Sequence, residues 1–177
     1  MTAKVWDIAK RITLNIEGGY QCDPNDKGNW TGGNIGIGKL KGTKYGISAA
    51  SYPNVDIKNL TKEQAEILYK RDFWGKNRCD YMPDALSIAV FDYSIHSGSR
   101  AIRDLQSVLG VKVDGKVGNQ TLGACNSQPL KIILDKYLNK RLSYIIMLCE
   151  KKKYAKYKNG WINRLLKIRE VCKKYGG

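Results

Sequence analysis

The sequence predicts a mainly α fold, a helical bundle with one small β-hairpin region near residues 20–50. Three observations carry this expectation. Apolar residues recur at helical spacing over most of the chain. Nine glycines crowd between Gly18 and Gly46 and interrupt that pattern. The composition, 42% hydrophobic and 27% charged with only 4 Pro, is that of a packed globular chain. At 177 residues, one hydrophobic core can serve the whole length.

The elements follow in order. Val5, Ile8, Ala9, Ile12 and Ile16 draw an apolar helical stripe over residues ~3–17, which Gly18-Gly19 stops. Asp23-Pro24-Asn25-Asp26 is a turn, and the glycine-rich stretch to Pro53 holds the short strands. Thr61-Lys62-Glu63-Gln64 has the form of a capping box opening a helix to about Trp74. Pro83-Asp84 opens the next. Its apolar residues, from Leu86 to Ile95, cover most of the circumference, so it should be the central buried helix, ended by Gly98. A short helix over 99–109 closes at Gly110, and a loop runs from Val113 to Gly118. Helix resumes near Gln120 to Cys125, then as one long helix from Pro129 to about Tyr157, and again from Trp161 to Tyr175.

Charge and residue counts exclude several kinds of chemistry. The net charge is +15. It is uneven: +3 over residues 1–110 and +12 over 111–177, where the lysines include Lys151, Lys152, Lys153, Lys156 and Lys158. Such a chain seeks polyanions. His96 is the single histidine, so two-histidine zinc motifs are impossible and no metal or cofactor site is expected. The five cysteines are widely spaced without a CxxC, which points to idle thiols rather than a disulfide framework or zinc ribbon. No apolar run approaches the ~20 residues of a membrane span. Trp6, Asp7 and Lys10 stand where a secretion signal needs an apolar core, so synthesis in the cytoplasm without a cleaved signal is expected. No zinc finger, RNA-recognition motif or recognition helix supports a specific nucleic-acid partner.

Carboxylate chemistry stays open. Glu17 falls in the expected last turn of the first helix, where the helix C-terminus and apolar neighbours disfavour ionisation, as a general acid needs. Asp26 lies nine residues on in a turn whose water and N–H groups favour the carboxylate; Asp23 rivals it. A protonated acid beside an ionised partner is the division of labour of glycosidic-bond hydrolysis.

The motifs Glu17-Gly18-Gly19-Tyr20, Asp23-Pro24-Asn25-Asp26-Lys27-Gly28 and Thr43-Lys44-Tyr45-Gly46-Ile47-Ser48 resemble those of the glycoside hydrolase family 108 lysozymes. The likeness continues through Tyr69–Trp74, Phe91–Gly98, Ala101–Gln106 and Val113–Leu122, the last similar to a region regarded as peptidoglycan-binding. Each motif alone is weak; together and in this order they are specific. The resemblance implies a lysozyme-like α+β fold with a catalytic region over 1–110 and a helical peptidoglycan-binding-like region over 111–177, packed as one compact domain. It implies Glu17 as the catalytic acid and Asp26 as the aspartate. Two threonines compete for the third, water-positioning place. Thr31 has nearly the expected spacing, and Thr43 has the Gly-Ile neighbours but follows an insertion over roughly Gly32–Gly42; Thr43 is favoured. His96 replaces the family's usual asparagine and can still hydrogen-bond sugar. Tyr20, Trp74 and Phe73 are candidate sugar-stacking platforms, and Asp23 joins Tyr20, Trp74 and His96 as substrate-binding candidates.

The implied activity is an N-acetylmuramidase cutting the β-1,4 bond between N-acetylmuramic acid and N-acetylglucosamine. The order of an aspartate with a threonine helper leans towards water attack. The implied partner is peptidoglycan, reached by a monomer after release or export, as a phage endolysin or as a bacterial protein. The C-terminal lysines would hold it on an anionic wall or membrane surface. The alternative is a non-catalytic basic protein that binds the wall or nucleic acid.

Overall fold

The computed structural model describes residues 2–14 and 19–176. The chain forms two compact units. One comprises Met1–Thr13 and Arg71–Gly177, the other Leu14–Lys70.

In the first unit the helices are α1 (Thr2–Thr13), α3 (Asp84–Ser97), α4 (Ser99–Leu109), α5 (Asn119–Ser127), α6 (Leu130–Cys149), α7 (Lys152–Ala155) and α8 (Lys158–Lys174); α2 (Lys62–Tyr69) belongs to the second unit. Helix α3 is the centre, as its apolar circumference predicts. Every residue from Ala85 to Ser94 is buried, and α1, α4, α6 and α8 pack around it. Trp6 of α1, Trp74 and Phe91 of α3 meet edge-to-face, with ring centroids 5.2–5.6 Å apart. Each such pair adds about 0.5–1.5 kcal/mol to its area burial.

The buried charges of this core are paired. Asp92 is fully buried; Arg141 reaches its Oδ2 at 2.7 Å, and Arg164 reaches its Oδ1 through Nη2 at 2.6 Å and Nε at 3.0 Å. Burial alone would push the Asp92 pKa up, but the two guanidiniums outweigh it and hold it below the usual carboxylate range. Arg164 also donates to the Thr13 carbonyl at 2.7 Å, satisfying a C-terminal carbonyl of α1. The helix ends there, short of the expected residue 17, and Leu14 is non-helical. Buried Gln106 ties down the 113–116 loop. Its Nε2 donates to Asp114 Oδ1 and the Lys116 carbonyl, and its Oε1 accepts from the Asp114 and Gly115 N–H groups. This explains why the loop needs Asp-Gly at that place. Buried Cys125 and Cys172 have thiol pKa values raised by desolvation to about 12, and all five cysteines are free.

Further helix boundaries differ from expectation. The single helix from 129 to about 157 is instead α6, a break at Glu150-Lys151 and short α7, and α8 begins at Lys158 rather than Trp161. Three consecutive lysines, Lys151–Lys153, oppose a continuous helix with like charge. The break also lets Tyr157 stack on Trp161 at 5.5 Å, with Tyr154 6.0 Å from the same ring. Among the described residues no helix is long and apolar enough to cross a membrane.

In the second unit the capping box forms as read: Thr61 Oγ1 accepts from the Gln64 N–H and Gln64 Oε1 from the Thr61 N–H. Strands β1 (Thr43–Lys44) and β2 (Ile47–Ser48) pair antiparallel, Thr43 opposite Ser48. Their two-residue loop, Tyr45-Gly46, has positive φ at both positions (52° and 76°), the type I′ signature. Gly46 suits it. Tyr45 does not, and the Tyr69 hydroxyl donates to its carbonyl at 3.1 Å, holding the turn. The insertion forms a second small hairpin, with Trp30 bridged to Leu40.

Candidate active site

The second unit brings Asp23, Asp26 and Thr43 together. Asp23 and Asp26 belong to one turn: Asp23 Oδ1 accepts from the Asn25 N–H and Nδ2, and the Asp26 N–H donates to the Asp23 carbonyl. Asp26 caps a short 3-10 turn, Lys27–Asn29, its Oδ1 accepting from the Gly28 N–H at 2.8 Å. Its Oδ2 accepts from Gln21 Nε2 at 3.2 Å. The carboxylate is exposed, so it is both fixed and reachable.

Thr43 is reached through a second shared partner. Its Oγ1 donates to Asn29 Oδ1 at 2.7 Å, and Gln21 Nε2 donates to the same oxygen at 3.1 Å. Asn29 Nδ2 donates back to Gln21 Oε1 at 2.7 Å and to the Asp23 carbonyl at 2.9 Å. Asn29 has no exposed surface, whereas its partner Gln21, and the Asp26 carboxylate that Gln21 holds, are exposed. A buried amide that satisfies four hydrogen bonds thus orients Gln21 and Thr43. Because the Thr43 proton is committed to Asn29, its hydroxyl can only accept from a further molecule. Gly42 lets the strand come close. Its φ is +82°, and a Cβ there would collide with the Gln21 carbonyl and the Tyr20 ring.

Thr31 serves a different purpose. Its Oγ1 accepts from the Lys39 N–H at 2.8 Å and closes the neck of the inserted hairpin. Tyr20 is 38% exposed and lines a cleft of about 320 Å³ with Leu40, Lys41, Asn54 and Asp56. A hydrogen bond with Cys22, then burial, pushes its hydroxyl pKa up. Glu17 lies outside the described residues.

Trp74 and His96 belong to the first unit. Trp74 as a sugar platform is corrected: its indole is 1% exposed, set against Trp6 and Phe91, with its N–H spent on Asp80 Oδ1 at 2.8 Å. No face is free to stack on sugar. Phe73 is half-buried. His96 is exposed at one side of a pocket of about 310 Å³ that Arg141, Arg164, Tyr144, Tyr154 and Trp161 also line. Desolvation by the pocket, then the Arg164 charge, lowers the imidazole pKa to about 4, so it is neutral at neutral pH.

Gln21 and Asn29 were not among the residues singled out from sequence. Both look like ordinary turn residues there, and no periodicity marks Asn29 as buried. Among the described residues no three His, Cys, Asp or Glu side chains converge as metal ligands do.

An exposed carboxylate, an acceptor hydroxyl and a cleft edged by Tyr20 are groups that hydrolysis of a sugar polymer can use. Comparison with known proteins bears on the same point. Residues 10–98 match the model of glycosyl hydrolase 108, and residues 100–166 that of a predicted peptidoglycan domain. The solved structure of SagA from Brucella abortus is similar at a TM-score of 0.77 and 27% identity, covering 99% of this chain and 97% of that one. A search of curated proteins finds no match. The first model spans half of the chain, and the fold is mainly α and lysozyme-like as expected. The chain therefore belongs to the glycosyl hydrolase 108 family and is a glycoside hydrolase directed at peptidoglycan.

Proposed function

We propose that this chain is an N-acetylmuramidase, cleaving the β-1,4 bond between N-acetylmuramic acid and N-acetylglucosamine. Glu17 protonates the leaving oxygen as general acid. Asp26 accepts a proton from an attacking water, or steadies the positive charge that develops on the sugar ring. Thr43 accepts the water's second hydrogen bond and aims its lone pair at the anomeric carbon. The observation that carries this reading is the Gln21–Asn29 amide pair, which holds Asp26 and Thr43 in one network. That network favours Thr43 over Thr31, whose hydroxyl is used by the hairpin. Tyr20 offers a stacking face in the cleft beside it, and Asp23 braces the turn.

In this reading residues 1–110 cut and residues 111–177 hold the wall. Lys151, Lys152, Lys153, Lys156 and Lys158 are all exposed, which supports docking on an anionic surface. The test is Glu17→Gln. It should abolish clearing of purified peptidoglycan while circular dichroism stays unchanged; retained clearing would overturn the role of Glu17.

A further inference from the structure

The pocket beside His96 has features that hydrolysis of a neutral glycan leaves unused. Two guanidiniums line it, Arg141 with a side chain 4% exposed and Arg164 at 27%, and they share one carboxylate, Asp92. Among the described residues the cluster therefore carries one positive charge in excess. A buried excess charge is costly unless something neutralises it. Arg164 spends Nε and Nη2 on Asp92 and the Thr13 carbonyl, and Nη1 takes part in none of those bonds. The nearby Arg100 adds no excess, because Asp104 pairs with it at 2.9 Å. His96, neutral at neutral pH, supplies a hydrogen-bonding group without more charge.

The walls are aromatic. Trp161 is held against Tyr157 and Tyr154, and Tyr144 lies beneath the Arg100 guanidinium at 4.5 Å. The volume, about 310 Å³, lies at the lower end of small-ligand sites. Most of the lining falls within residues 100–166, the predicted peptidoglycan domain.

We propose that this pocket binds a free carboxylate of the wall's stem peptide, the anion against Arg164 and Arg141 and its aliphatic neighbour against Trp161 and Tyr144. The proposal deepens the peptidoglycan reading and rests on it. It gives His96 a substrate-binding role towards peptide rather than sugar. Where the stem peptide amidates the muramic acid lactyl group the glycan is uncharged, whereas the peptide ends in carboxylates, and only the latter use the excess charge.

The test is a titration of the full chain with diacetyl-L-Lys-D-Ala-D-Ala, read by ¹H–¹⁵N NMR at the Trp161 indole N–H and Arg164 Nε–H. The free acid should shift both signals saturably. Its C-terminal amide should bind at least tenfold more weakly, and chitotetraose should leave both signals unmoved. Leu148→Trp, which fills the pocket from its apolar side, should lose the binding; Trp161→Ala, read at Arg164 alone, should weaken it several-fold. Equal binding of acid and amide, or no shift by the acid at 10 mM, would overturn the proposal. Saturable binding of glycerol 1-phosphate without the peptide would overturn the peptide as the source of the anion. Digestion of purified peptidoglycan by the same preparation separates this from the parent reading. Binding without digestion would overturn the muramidase and leave the pocket; digestion without binding would do the reverse.

Discussion

Asn29→Asp tests how the candidate site is held. The substitution keeps shape and replaces the Nδ2 amino group with an oxygen. Two donor–acceptor contacts, to Gln21 Oε1 at 2.7 Å and to the Asp23 carbonyl at 2.9 Å, then become contacts between acceptors. The position has no exposed surface, so water cannot repair them. Losing two hydrogen bonds and stranding two acceptors costs about 2–5 kcal/mol, and the introduced buried charge adds to it. Rotation of the Gln21 amide does not help. It would satisfy the new oxygen but turn Oε1 towards Asp26 Oδ2, breaking that bond as well. We expect a loss of about 3–5 kcal/mol at pH 7, with partial recovery on acidification as the new carboxyl takes a proton and donates it to Gln21. Asn29→Ala should lose about 2–4 kcal/mol without that pH dependence. Urea titrations from pH 4.5 to 7.5 give the stabilities, and peptidoglycan clearing by Asn29→Ala should fall about 10–100-fold as Thr43 loses its acceptor. A variant within about 0.5 kcal/mol of the parent at pH 7, the scatter typical of surface positions, and clearing at the normal rate would refute the idea that this amide holds the site.

Further expectations concern the helical unit and the charge. Asp92→Asn leaves two guanidiniums without their carboxylate and should cost about 3–5 kcal/mol in urea titration. In the parent, the lowered Asp92 pKa means its stabilisation is present above about 3.9 and is lost as pH falls further through the folded value. His96 acts in a higher window. Its folded pKa, about 4, lies below the unfolded value near 6.5, so the unfolded chain binds the proton first and stability declines as pH drops across that interval. Melting temperatures of His96→Gln should vary less over pH 4–6.5 than those of the parent. Replacing Lys151, Lys152, Lys153, Lys156 and Lys158 by Gln should weaken lysis of intact cells and flatten its salt dependence, yet spare cleavage of short soluble glycans. Equal loss on both substrates would mean that these lysines support the fold.

Local chemistry made much of this molecule legible. The apolar circumference of α3 foretold a central helix, Thr61 and Gln64 cap as their spacing demands, and the Thr-x-x-Gly-Ile pattern is a type I′ hairpin in which Gly46 takes a positive φ. What escaped the sequence depends on side-chain partners that periodicity does not reveal. The α6–α8 break is made where the lysine run and the stacking of Tyr154, Tyr157 and Trp161 override helical periodicity. Trp74 follows the same rule, since an aromatic residue after a helix looks alike as a sugar platform or as core until Trp6 and Phe91 enclose it. Asn29 is the least legible. Turn sequence suggests an exposed amide, and only the return of the chain at Gly42-Thr43 buries it.

In the proposed mechanism Glu17 drives cleavage on the muramic acid side of the glycosidic bond. Mass analysis of reduced fragments from purified peptidoglycan, digested by the parent and by Glu17→Gln, tests it most directly. New reducing ends on N-acetylmuramic acid should appear with the parent and none with the variant. Reducing ends on N-acetylglucosamine, or unchanged products from Glu17→Gln, would contradict it.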